Sequence, residues 1–233
     1  IGLALRQSGG PFSAASLAGT HVFELTGRLS NTAAIATAGL ATADAAGHLT
    51  GRFDRNANNI VTADEPYTAT ASLGADGRGT VDSTALPSLI FYMVDPDTAL
   101  LMEAPGGSVQ TGTMERRMDI SYAAETLVGQ YAQGGSPPAI VPSVTATAQV
   151  LYYPTGSLNT VADVVSPCLL DSSSDGSLRF AVSSTGRFDI LNAGGGRVAG
   201  GYLLSPLRYV LVLERASSGQ ACDEIVHLYR AVR

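Results

Sequence analysis

Residues 89–103 read LIFYMVDPDTALLME, and residues 201–214 return to the same theme as GYLLSPLRYVLVLE. In each stretch two apolar runs, rich in β-branched, aromatic and Leu residues, meet at an Asp-Pro or Ser-Pro break. Each run is too short for an ordinary helix, so each copy is predicted to be a β-hairpin that turns at its proline. Pro96 and Pro206 stand 110 residues apart, as do Tyr92 and Tyr202. In a chain of 233 residues that offset predicts two tandem units.

The offset extends outward from the hairpins. Leu17-Ala-Gly19 matches Leu127-Val-Gly129 at 110, and Ala36-Thr-Ala38 matches Ala146-Thr-Ala148 at 110. Gly47 matches Gly156, and Gly77-Arg78 matches Gly186-Arg187, both at 109. Turn residues such as ADAAG, ADG, LP, DP and PGG divide the first unit into eight short strand-like segments. No helical pattern interrupts them, and short loops favour antiparallel neighbours. The expected fold is all-β: two tandem eight-stranded antiparallel up-and-down β-barrels at 13–118 and 119–233, behind an N-terminal strand and linker at 1–12. A pair of β-sandwiches is the alternative.

Composition narrows the partners. The net charge is −6, and all 14 basic residues are dispersed Arg, which argues against nucleic acid, whose phosphates need clustered positive charge. No run approaches the roughly 18 apolar residues of a transmembrane helix. Ile1 in place of Met predicts that the numbered chain starts after processing, any secretion signal lying outside it. Abundant Ser, Thr, Gly and Ala, few charges and two cysteines point to a secreted, extracellular or cell-surface bacterial β protein.

Cys168 and Cys222 fall in the third and seventh loops of the second unit, at one end of an up-and-down barrel, so a disulfide between them is geometrically possible. Closing that loop would stabilise by roughly 4 kcal/mol and would persist in an oxidising compartment. Two buried thiols or a two-ligand metal site are the alternatives, although no CxxC or nearby His supports the metal.

The segments FSAASLAGTHVFELTG, FDRNAN and ADGRGT, with the apolar hairpin broken by DP, resemble a group of secreted bacterial tandem β-repeat proteins of the acidobacterial type. The resemblance covers essentially the whole chain, in worn form in the second unit. It implies secretion and a lipocalin-like barrel, and it carries over no functional residues.

One motif has metal-ligating spacing. Asp54, Asn56, Asn58, Thr62 and Glu65 stand at positions 1, 3, 5, 9 and 12 of a calcium-loop pattern, with the Ile60 carbonyl at position 7. Position 6 is Asn59 instead of Gly, and the flanks read as strands. The competing reading is a polar turn whose Asp and Asn cap their own backbone. Calcium is thus the one cofactor candidate, and residues 171–176, DSSSDG, offer a weaker one.

Catalysis is not expected. His21, His48 and His227 lack any paired or metal-binding spacing, and no nucleophile elbow or phosphate loop occurs. An extracellular hydrolase would need a His within reach of an acid and a nucleophile.

Association with copies of itself is the stronger expectation. Ile1, Leu3 and Leu5 alternate with small or polar residues, as in a strand able to pair with a neighbour's edge. Leu89 and Phe91 in one hairpin, and Tyr209 and Leu211 in the other, belong to runs apolar on both faces, which demand cover. The leading reading is a secreted or cell-surface structural protein, a filament subunit that uses its N-terminal strand for pairing. A lipocalin-like binder of a small apolar ligand is the second reading, with Ala36, Ala38, Ala69 and Ala71 as small inward residues.

Overall fold

The computed structural model describes residues 5–29, 34–57, 60–104, 108–136, 145–165, 170–213 and 228–232. The first sheet contains β1 (Gly19–Arg28), β2 (Ala34–Ala43), β3 (His48–Ala57), β4 (Ile60–Leu73), β5 (Arg78–Ser83), β6 (Leu89–Asp95), β7 (Thr98–Glu103) and β8 (Val109–Arg116). Each strand pairs antiparallel with the next, and β8 returns to β1, closing a barrel. The second sheet contains β9 (Gly129–Ser136), β10 (Thr145–Tyr152), β11 (Ser157–Val165), β12 (Leu170–Val182), β13 (Arg187–Leu191), β14 (Arg197–Ser205), β15 (Arg208–Leu213) and β16 (Leu228–Val232). It follows the same order, and β9 pairs with both β10 and β16. Ahead of β1 and β9 lie one-turn segments, Ala14–Leu17 and Ala124–Leu127, which send Leu17 and Leu127 into the two cores.

The hairpin turns explain why strands of this length form in order. At residues 44–47 the Gly47 N–H donates to the Asp44 carbonyl, and the Asp44 side chain accepts from the Ala46 and His48 N–H groups. Gly47 sits at φ +88°, and a Cβ there would lie 2.5 Å from the Ala71 carbonyl oxygen. A side chain is therefore excluded twice, by the left-handed backbone and by space. Gly77, Gly156 and Gly186 occupy equivalent turns at nearly the same φ.

Register refines the repeat. Gly19 faces Ala43, and its counterpart Gly129 faces Tyr152, so β2 and β10 correspond at an offset of 109. The match of Ala36 with Ala146 is therefore shifted by one; Ala36 corresponds to Thr145. Strand period two moves every side chain to the other face on such a shift.

The two units also exchange a ring. In the barrel Phe91 lies over Gly79 on the adjacent strand, whereas in the second sheet Phe188 lies over Gly201. A Cβ at Gly79 would fall 2.2 Å from the Phe91 ring, and one at Gly201 2.3 Å from the Phe188 ring.

The sequence pattern placed the apolar hairpins correctly and the contact residues wrongly. Leu89, Phe91, Tyr209 and Leu211 point inward and are buried in the two cores. The outward residues are their neighbours, Ile90 and Tyr92 in the first hairpin and Val210 and Val212 in the second. Ala69 and Ala71 do face the barrel core, but Ala36 and Ala38 face outward, into a third cluster between the sheets.

The substitution Gly47→Ala should destabilise the chain by about 1–3 kcal/mol, the cost of a non-glycine residue held at positive φ. A lower urea midpoint at unchanged slope is the expected result; an unchanged midpoint would contradict the turn.

Candidate functional site at the junction of the two sheets

The outer face of β1 and β2 presents Val22, Ala36, Ala38 and Leu40, small enough for a second sheet to approach closely. Tyr202 and Leu204 of β14 and Val210 and Val212 of β15 pack against them. Complete burial of such side chains is worth roughly 1.5–3 kcal/mol each, so this contact supplies most of the attraction.

Polar groups fix its register. Opposite the bond between Phe53 and Arg55 the β3–β4 ladder slips, and Asp64 adopts φ +53°, a conformation Asp tolerates. The bulge turns the Asp54 carboxylate toward the second sheet, where it is fully buried. Its Oδ1 accepts from the Asp64 N–H at 2.9 Å and from Arg187 Nη2 at 3.0 Å, and its Oδ2 accepts from Arg187 Nε at 3.2 Å. Arg197 Nη2 and the Tyr202 hydroxyl donate to the same carboxylate. Arg187 also approaches Asp64 at 3.2 Å and Asp189 at 3.0 Å, and Arg208 reaches across to Glu115 at 2.7 Å.

This arrangement keeps Asp54 ionised. Burial pushes its pKa up, but the hydrogen bonds from Arg187 and Tyr202 and the positive fields of both arginines outweigh burial and hold it below the usual carboxylate range. Tyr202 is pushed the other way, by burial first and then by the adjacent negative charge. Gly200 completes the pocket: a Cβ there would lie 2.9 Å from the Asp54 carboxyl carbon and closer still to the Arg197 guanidinium.

The calcium-loop pattern is thus drawn out along a hairpin. Asp54 spends its lone pairs on guanidinium, hydroxyl and amide donors, Asn56 is buried, and Ile60 and Glu65 are exposed. Thr62 pairs across from Arg55, and Asn58 lies outside the described residues. Among the described residues no three His, Cys, Asp or Glu side chains converge on a metal position.

The other expected site residues are placed as follows. Cys168, Cys222, His227, Ile1 and Leu3 lie outside the described residues, and Leu5 is exposed. His48 pairs with Asp44 in an exposed turn, while His21 is buried inside the barrel. Gln7 donates to the Asp76 and Met93 carbonyls, and the Ser8 N–H donates to the Val94 carbonyl. Between the sheets Arg117 donates to the Thr185 carbonyl and the Met118 N–H to the Leu204 carbonyl. The stretch at 7–12 is therefore the counterpart of the connection at 117–122.

Sequence reasoning did not find Arg187, Arg197 and Tyr202 as partners of Asp54, although the repeat carried the signal. Arg187 faces Tyr202 across β13–β14, and Arg78 faces Tyr92 across β5–β6. Asp54 faces Ala38 across β2–β3, and Asp163 stands at the same register position opposite Thr147 across β10–β11. Arg78 and Tyr92 are both exposed.

No family model matches the chain, and no curated protein does. Among solved structures, a porin-like protein from Bacteroides uniformis is similar over 98% of this chain and 97% of that one, at 9% identity and a TM-score of 0.22. An overlap so loose carries no argument about fold or function.

Replacing Asp54 by Ala should cost about 3–5 kcal/mol, since Arg187 and Arg197 would keep their charge without the buried anion. Asp54 has a depressed native pKa, so its contribution is full above the ordinary carboxylate value and fades as pH falls through the native one. Asp54→Asn should accordingly flatten the acid side of the stability curve, measured by urea unfolding between pH 7 and 3; parallel curves for the two proteins would contradict the ionised carboxylate.

Proposed function

We propose that this chain is a structural protein of the cell exterior, built of two tandem lipocalin-like barrels, which joins copies of itself head to tail. The observation that carries the reading is the recurrence of both halves of the junction at the chain's outer surfaces. The docked face of the second unit, with Arg187, Tyr202, Leu204, Val210 and Val212, has an exposed counterpart on the first in Arg78, Tyr92, Val94, Leu100 and Met102. The docked face of the first unit, centred on Asp54, has its counterpart on the second at Asp163.

In such an assembly the Arg78–Tyr92 face of one copy meets the Asp163 position of the copy before it, as Arg187 and Tyr202 meet Asp54 within a chain. A contact of this type is heterologous, so each addition regenerates the same free surface. The interchain contact is weaker than the internal one for two reasons. The second unit offers Ala132, Thr145, Thr147 and Gln149 where the first offers Val22, Ala36, Ala38 and Leu40. Ile90 replaces Gly200, and Pro87 stands where Arg197 would, so one cation gives way to an apolar side chain.

The N-terminal stretch supports the same direction of growth. Counting back from Gln7 and Arg117, residues 1–6 correspond to residues 111–116, the end of β8, with Gly2 at Gly112 and Arg6 at Arg116. Ala4-Leu5-Arg6 also reads like Ala231-Val232-Arg233 at the end of the second unit. A last-strand sequence at the front of one copy suits pairing at the end of another, as strand addition requires.

Sedimentation velocity on single-face variants tests this. The double variant Arg78→Glu/Tyr92→Lys and the variant Asp163→Arg should each remain monomeric at concentrations where the parent forms long chains. Mixed together they should stop at heterodimers, because one intact face of each kind remains. Assembly of Asp163→Arg equal to that of the parent, or a parent that stays monomeric, would overturn the head-to-tail contact.

A further inference from the structure

The two units share a fold and fill it differently. On the concave side of the second sheet Tyr131, Tyr152, Phe180 and Tyr209 pack edge to face at centroid distances of 5.1–6.0 Å. The Tyr152 hydroxyl donates to that of Tyr209, and the Tyr131 hydroxyl donates to the Pro206 carbonyl. Strand register identifies the equivalent residues of the barrel as His21, Ala43, Ala71 and Ala99. Four rings are thus replaced by one imidazole and three methyl groups.

Tyr67, Phe53 and Phe23 refill part of the barrel, but a cavity remains beneath Leu17, bounded by His21, Ala43, Ala71, Tyr67 and Phe91. It leaves about 30 Å³ to the centres of water-sized groups. Restoring the radius of such a group around a roughly spherical void gives a volume of about 150 Å³, the size that admits one benzene ring. The lining is apolar except at His21.

That histidine is poised as an acceptor. It is 2% exposed, and its ring hydrogen-bonds the Gly19 backbone, while Nε2 has no hydrogen-bond partner among the described residues. Burial first, and then the positive charge of Arg116, hold its pKa down to about 4, against the opposing pull of the Gly19 hydrogen bond and Asp97. At neutral pH the ring is uncharged, with its remaining proton committed to Gly19. Nε2 then carries a lone pair inside an apolar wall, where an unmade hydrogen bond is costly.

We propose that the barrel binds a small ring-sized apolar molecule carrying one hydrogen-bond donor, seated in this cavity with its hydroxyl or N–H on His21 Nε2. Apolar surface supplies the affinity, and the single acceptor selects a phenol-like compound over a hydrocarbon of the same shape. The site is independent of assembly, since neither His21 nor the cavity belongs to the junction.

The test uses phenol and toluene as matched probes on the full chain, by calorimetry and by NMR line shifts at pH 7. Both should bind the parent protein. His21→Leu should retain toluene, which reports that the barrel is intact, and should reduce the phenol-to-toluene affinity ratio about tenfold, the worth of one buried hydrogen bond. Ala71→Phe, which installs the residue of the second unit, should abolish binding of both. The proposal fails if the parent binds neither probe, if the ratio is unchanged in His21→Leu, or if binding survives Ala71→Phe.

Discussion

One buried carboxylate organises the relation between the halves of this molecule. Asp54 is drawn off the β3–β4 ladder by a bulge and receives two guanidinium groups and a phenol from the other sheet. An anion without water is tolerated only when nearly every lone pair is met, so the two sheets share a single acceptable alignment. The surrounding apolar contact would permit sliding; the ion cluster forbids it. Affinity and register therefore come from different residues of the same surface.

Much of the architecture was readable in the chain. The 110-residue repeat, the eight strands per unit and the turn glycines all follow from local pattern, because turns and period-two alternation are written in neighbouring residues. Alternation shows that a strand has two faces but not which is concave, and this is why Leu89, Phe91, Tyr209 and Leu211 were expected outside and are found within. The calcium-like spacing misled for a related reason. Asp54 and Asn56 are polar because they serve a junction and a buried hairpin end, and the groups that satisfy Asp54 lie more than 130 residues onward. Arg187 and Tyr202 became visible as partners only once register tied them to Arg78 and Tyr92.

Duplication has let the two interiors diverge while the sheets kept their pairing. Rings fill the second core near its Leu127 end, whereas the barrel carries its aromatic weight on Phe23, Phe53, Tyr67 and Phe91. A barrel of eight strands encloses little more than its own side chains, so moving three or four rings decides whether a void exists. The same scaffold thereby supports one half that is packed for rigidity and one that retains space.

The exchanged ring, Phe91 over Gly79 in one half and Phe188 over Gly201 in the other, bears on how such genes recombine. A crossover joining the strand of one half to the neighbouring strand of its twin would bring together either two phenylalanines, which collide, or two glycines, which leave a hole. Tandem copies that differ in this way resist being shortened or blended, and the lineage keeps both.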